Sequence, residues 1–130
     1  KIIFSHNFNK NELIKAIDKN DIIFIFPDQL SLLPQNSINL TLAIDCLHEM
    51  ENKNLYHIFK NVERFAENFY FSVWKKTTVP HSFSFNNFSR TSLYCNKHSD
   101  NYPKLSNFKR AFSKDLIFPA TQIAIGYKKK

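Results

Sequence analysis

Residues 22–28 read Ile-Ile-Phe-Ile-Phe-Pro-Asp, and residues 39–50 read Asn-Leu-Thr-Leu-Ala-Ile-Asp-Cys-Leu-His-Glu-Met. The first run is apolar at every position until Pro27 stops it. The second is nearly so until it ends on an acid. A short run without polar alternation reads as a strand buried on both faces, and such strands belong to parallel sheets covered by helices. Each run is followed by a polar turn, at Asp28 and at Asp45, which is where open α/β sheets place their ligands.

The flanks agree with this reading. Residues 51–65 carry Leu55, Ile58, Phe59, Val62 and Phe65 at helical spacing, and residues 68–74 form an aromatic strand. Upstream, residues 1–5 read as a strand. A helix then starts near Lys10, with Asn9 or Asn11 as its cap and Leu13, Ile14 and Ile17 as its stripe. The first 75 residues thus alternate buried strands with helices, the mark of right-handed crossovers. The expected fold is a single α/β domain over 1–130, a three-layer sandwich with a mostly parallel sheet. Within it, 1–75 is the core and 76–101 an irregular segment on the substrate side, where Phe83, Phe85 and Phe88 form an aromatic flap. Residues 102–130 supply a last helix and a last, antiparallel strand. The helix is expected over 103–114 with Leu105, Phe108 and Phe112 inward, and the strand over 120–128.

Composition removes several chemistries. The chain has 130 residues and one glycine, Gly126, where an average chain of this length has about nine. A glycine-rich phosphate cradle cannot be built from it. The longest apolar run is far short of the ~20 residues that span a bilayer, so no membrane is expected. Lys1 is not a methionine, and we expect the chain to belong to a longer product. Cys46 and Cys95 do not make a disulfide framework and read as reduced thiols of a cytoplasmic protein. The net charge of +7 is uneven: residues 1–75 carry net −1 and residues 76–130 net +8. The basic half admits a nucleic-acid-binding reading, but no RNA-binding signature accompanies it and nucleic acid is not the expected partner. Fifteen of the 18 basic residues are Lys, and A/T-rich codon usage alone enriches Lys.

The pieces Asp28, Leu33-Pro34, Ser37, the strand to Asp45, and Leu47-His48-Glu49-Met50 resemble the middle of a class I S-adenosylmethionine-dependent methyltransferase. Ile44-Asp45-Cys46-Leu47-His48-Glu49-Met50, Tyr56, Phe69-Tyr70-Phe71-Ser72 and Tyr102-Pro103 bring it nearest to the sugar O-methyltransferases. The likeness covers about residues 22–75 well and 101–127 loosely. Asn39, Cys46 and Trp74-Lys75-Lys76 depart from that family's usual residues. The resemblance implies a partial Rossmann-like fold and a methyl acceptor that is a sugar or another small hydroxyl compound. It implies S-adenosylmethionine as cofactor, held only with an amino-terminal half that would carry the glycine loop and the ribose acid. Asp28, Asp45 and Cys46 are the implied cofactor contacts, and Tyr56 and Trp74 the implied substrate contacts.

His48 is the best general base by residue type, because an imidazole titrates near neutrality. Glu49 would orient it or bind a sugar hydroxyl; alternatively it only complements a helix N-terminus. Cys46-x-His48 and Cys95-x-x-His98 have ligand-like spacings, but Cys46 ends a buried strand and no metal is expected. Two other readings stand beside the enzyme: a non-catalytic methyltransferase-like binding or assembly module, and a basic nucleic-acid-binding domain.

Overall fold

Helix α2, Asn52–Phe65, buries one stripe, Leu55, Phe59, Val62 and Phe65, against strand β4, Ala66–Trp74. Phe59 meets Phe69 edge-on at 5.4 Å and Phe71 at 5.8 Å. Each such aromatic removes roughly 1.5–3 kcal/mol worth of apolar surface from water. In the computed structural model the described residues are 1–4, 7–80, 94–98, 102–117 and 122–130. The aromatic residues Phe83, Phe85 and Phe88 lie outside them.

Two parallel pairs carry the amino-terminal half. Strand β1, Ile2–Phe4, pairs with β2, Ile22–Phe24, and β3, Ile38–Ile44, pairs with β4. Between β1 and β2 lies α1, Lys10–Lys19, whose cap is Asn9. The Asn9 carboxamide accepts the N–H groups of Asn11 and Glu12, and Glu12 returns a bond to the Asn9 N–H at 2.9 Å, a capping box. Leu13 and Ala16 are its buried residues, while Ile17 is turned outward. Residues 27–32, expected as loop, wind into a 3₁₀ turn, Pro27–Leu32. Arg64 pins that turn to α2 by donating to the carbonyls of Leu33 and Leu30, the latter at 2.8 Å.

The main sheet runs β3-β4-β8-β7, where β7 is Phe108–Asp115 and β8 is Gln122–Lys129. The fold is therefore mixed α/β. Its last strand is antiparallel, as expected, but of the three pairings in this sheet only β3 with β4 is parallel. The helix expected over 103–114 is corrected to a strand. Leu105, Phe108 and Phe112 mimic helical spacing, yet the chain pairs with β8 through a bulge between Arg110 and Phe112. The extra residue shifts the parity, so Phe108 faces the core and Phe112 the opposite face. The segment expected to be irregular also holds regular structure: β5, Lys76–Pro80, pairs antiparallel with β6, Tyr94–His98.

A second correction concerns burial. Phe69, Phe71, Val73 and Ile125 fill the core face of the sheet. Leu40, Leu42 and Ile44 were expected inside and are 54%, 57% and 60% exposed. Ile22 and Phe24 are likewise exposed, while Ile23 packs on the core. These strands bury one face, not two, so the three-layer arrangement is not seen over them among the described residues.

Candidate functional site

Strand β3 ends at Ile44, and Asp45 then takes φ +54°. That left-handed conformation is disfavoured for side-chain-bearing residues, with Asp and Asn the tolerated cases. It turns the chain sharply into the 3₁₀ turn Leu47–Glu49, while the Asp45 N–H still donates to the Ser72 carbonyl of β4 at 3.0 Å. The carboxylate of Asp45 becomes a hub. Gln122 Nε2, from the head of β8, donates to its Oδ1 at 2.6 Å, and Trp74 Nε1, from the end of β4, donates to the same oxygen at 3.1 Å. Two donors on one oxygen fix the carboxylate in place.

His48 lies beside this hub and is only 5% exposed. Its Nε2 is 3.7 Å from Asp45 Oδ1, and the Trp74 ring packs across it at 5.7 Å. With Asp45 on that side, Nε2 is the nitrogen placed to point a proton at the carboxylate. In the neutral ring Nδ1 is then the acceptor. It is buried and has no hydrogen-bond partner among the described residues. A buried ring nitrogen without a partner is uncommon.

The other sequence-derived residues fall as follows. Glu49 closes the Leu47–Glu49 turn; its side chain is outside the described set. Cys46 is half-buried. Burial first, and the Cys46 charge second, push the Tyr102 hydroxyl up from its ordinary pKa of 10.0. Tyr102 Oη is a second buried group without a partner among the described residues. Asp28 is exposed in the Pro27–Leu32 turn, and Tyr56 is 65% exposed on the outer side of α2. The structure thus brings together Asp45, His48 and Trp74, and the described contacts of that cluster include neither Asp28 nor Tyr56. Gln122 is the member that sequence reasoning missed. Its only signal is a polar residue at the head of an apolar strand.

Comparison with known proteins gives a fold and no function. No protein family and no curated protein matches the chain. Among solved structures the chain is similar to the PH0226 protein of Pyrococcus horikoshii OT3. The identity is 13% and the TM-score 0.57, over 92% of this chain and 65% of that one. At this identity the likeness is one of fold alone, and the chain spans 65% of the length of that protein.

Of the groups expected around S-adenosylmethionine, Asp45 and Cys46 lie at the turn after β3 and Asp28 in the Pro27–Leu32 turn. Asp28 is apart from the cluster, and Asp45 Oδ1 already accepts two donors. Gly126 lies within β8 under the ring of Phe112, where an added Cβ would stand 2.7 Å from Phe112 Cζ. The one glycine serves strand packing and not a cofactor loop. No helix among the described residues is long and apolar enough to cross a membrane.

Proposed function

We propose that this chain is the acceptor-side part of an S-adenosylmethionine-dependent O-methyltransferase acting on a sugar or another small hydroxyl compound. The observation that supports the reading is the buried His48 beside Asp45, with Nδ1 unpartnered among the described residues, just past the carboxyl end of β3. An acceptor hydroxyl donating to Nδ1 would pass its proton there as the oxygen becomes nucleophilic. The imidazolium so formed carries its second N–H toward Asp45, whose charge stabilises it. Gln122 and Trp74 keep the carboxylate in position. Strand β5 runs past the Leu47–Glu49 turn, so the segment after Trp74 borders the same place. The cofactor would supply the methyl group, held together with residues beyond this chain.

The test uses the 130-residue chain. Hexoses and small non-sugar alcohols are titrated while the ¹⁵N resonances of the His48 ring are followed. The expected result is a saturable shift of Nδ1 with at least one hydroxyl ligand, absent in His48→Ala. Calorimetry with S-adenosylmethionine should show weak binding or none. A panel in which no hydroxyl compound moves Nδ1 refutes the acceptor role of His48. Micromolar binding of the cofactor by this chain alone refutes the need for further residues to hold it.

A further inference from the structure

Register and strand alternation assign every side chain of the main sheet to one of two faces. Phe69, Phe71 and Val73 define the face under α2. The other face carries one row straight across the sheet: Leu42, Tyr70, Gly126 and Phe112 are successive cross-strand partners. Tyr70 and Phe112 lie 6.1 Å apart, with the Phe112 ring covering Gly126. Leu40 and Ile44 flank Leu42 on β3, and all three are more than half exposed; Phe112 is 47% exposed. Toward β7 the face turns basic. Lys128 lies between Asn68 and Lys109, Lys114 lies opposite Ala124, and all three lysines are exposed. The described strand residues on this face include no carboxylate.

We propose that this face docks an amphipathic helix with an acidic flank. Helices and second sheets both cover apolar sheet faces, and the width of this one suits a helix. From β3 to β7 is three strand spacings, ~14 Å, a little more than the ~10–12 Å width of a helix. A helix with its apolar stripe on Leu42 and Tyr70 therefore sets one flank over the lysines. Acidic residues on that flank meet charges that no described strand residue of this face answers. A second copy of this chain is a poorer occupant, because it brings three more lysines to a face whose one described carboxylate, Asp45 just past the end of β3, is already held by Trp74 and Gln122. The proposal does not rest on the hydroxyl-acceptor reading, although Trp74 and Gln122 at the edge of this face also hold Asp45.

Two synthetic helical peptides of about 18 residues (~27 Å) test it. Both carry a leucine stripe; one is flanked by glutamates, the other by lysines. Trp74, the only tryptophan of the chain, lies on this face and reports by its fluorescence. The glutamate peptide should bind at least tenfold tighter than the lysine peptide, and its affinity should fall with salt. Leu42→Asp, at an exposed position and checked for folding by circular dichroism, should abolish binding. The triple variant Lys109→Glu, Lys114→Glu, Lys128→Glu should reverse the preference. Equal binding of both peptides, or binding untouched by Leu42→Asp, overturns the proposal. So does a dimer in sedimentation that Leu42→Asp dissociates, or a preference for anionic vesicles over the glutamate peptide.

Discussion

Replacing Tyr102 by Phe removes one oxygen from the core and leaves the ring. That ring stacks on Phe59 at 6.1 Å and packs on Phe71 at 5.5 Å, so its apolar contacts survive the change. The hydroxyl is buried and has no partner among the described residues. An unsatisfied buried hydroxyl costs ~1–3 kcal/mol. Tyr102→Phe should therefore stabilise the chain by about 1 kcal/mol, the lower end allowing for partial relaxation. For a domain of this size that raises Tm by roughly 3–5 °C. The pH dependence gives a second readout. Burial and the Cys46 charge hold the phenol protonated in the folded state above its ordinary pKa of 10.0. A group raised in the fold contributes its full stability below the unfolded value and loses it as pH rises through the folded one. The parent protein should lose stability above pH ~10 on this account, and Tyr102→Phe should not, so the advantage of the variant should widen there. Urea denaturation of both proteins at neutral pH and above pH 10 checks both points. A variant destabilised by more than ~0.5 kcal/mol at neutral pH would show that the hydroxyl has a hydrogen-bond partner in solution.

Gly126→Ala places a methyl group against the Phe112 ring and should cost about 1 kcal/mol. In a Phe112→Ala background the same substitution should instead stabilise by ~0.5–1 kcal/mol, because only the strand cost of glycine remains; a urea double-mutant cycle measures the change of sign. Burial raises the Glu63 pKa, but the Ser106 hydroxyl, the Asn107 and Ser106 N–H groups and the Lys129 charge outweigh it and hold the carboxyl below 4.5. Its contribution is present above pH 4.5 and lost as pH falls below, so Glu63→Gln should flatten the acid limb of a stability-versus-pH curve. Lys129 donates to Asn36 Oδ1 at 2.6 Å and to the Glu63 carbonyl at 3.1 Å, at the carboxyl end of α2. Lys129→Met should cost ~1–2 kcal/mol in thermal or urea unfolding, by leaving these acceptors without their charged donor.

Much of the element order was legible because it rests on local chemistry. Asn9 or Asn11 as a cap announced the start of α1, and the stripe of α2 fixed its inner face. Two features were not legible, for physical reasons. An apolar run such as Leu40 to Ile44 states that a strand will form there, not how many of its faces this chain will cover. The bulge between Arg110 and Phe112 converts a period-two strand into a spacing that imitates a helix, and nothing local marks it. At the site, Asp45 and His48 were legible from their place after a buried strand, and Trp74 from the family resemblance. Gln122 was hidden because its role depends on a partner 77 residues away.

That separation sets when the site can exist. His48 lies three residues from Asp45, and Trp74 lies 29 away, so both belong to the β3-turn-α2-β4 unit. Gln122 arrives only when β8 has inserted between β4 and β7, the step with the longest loop to close. Until then Asp45 lacks its shortest donor, and Phe71 and Val73 lack Ile125 and Ile123 beside them. A carboxylate held by Trp74 alone is free to swing, and with it goes the fixed orientation of the His48 ring. Placement of the base is thus coupled to closure of the whole sheet. A destabilising change at the β7–β8 edge, far from His48, should loosen the His48 resonances before the chain unfolds globally.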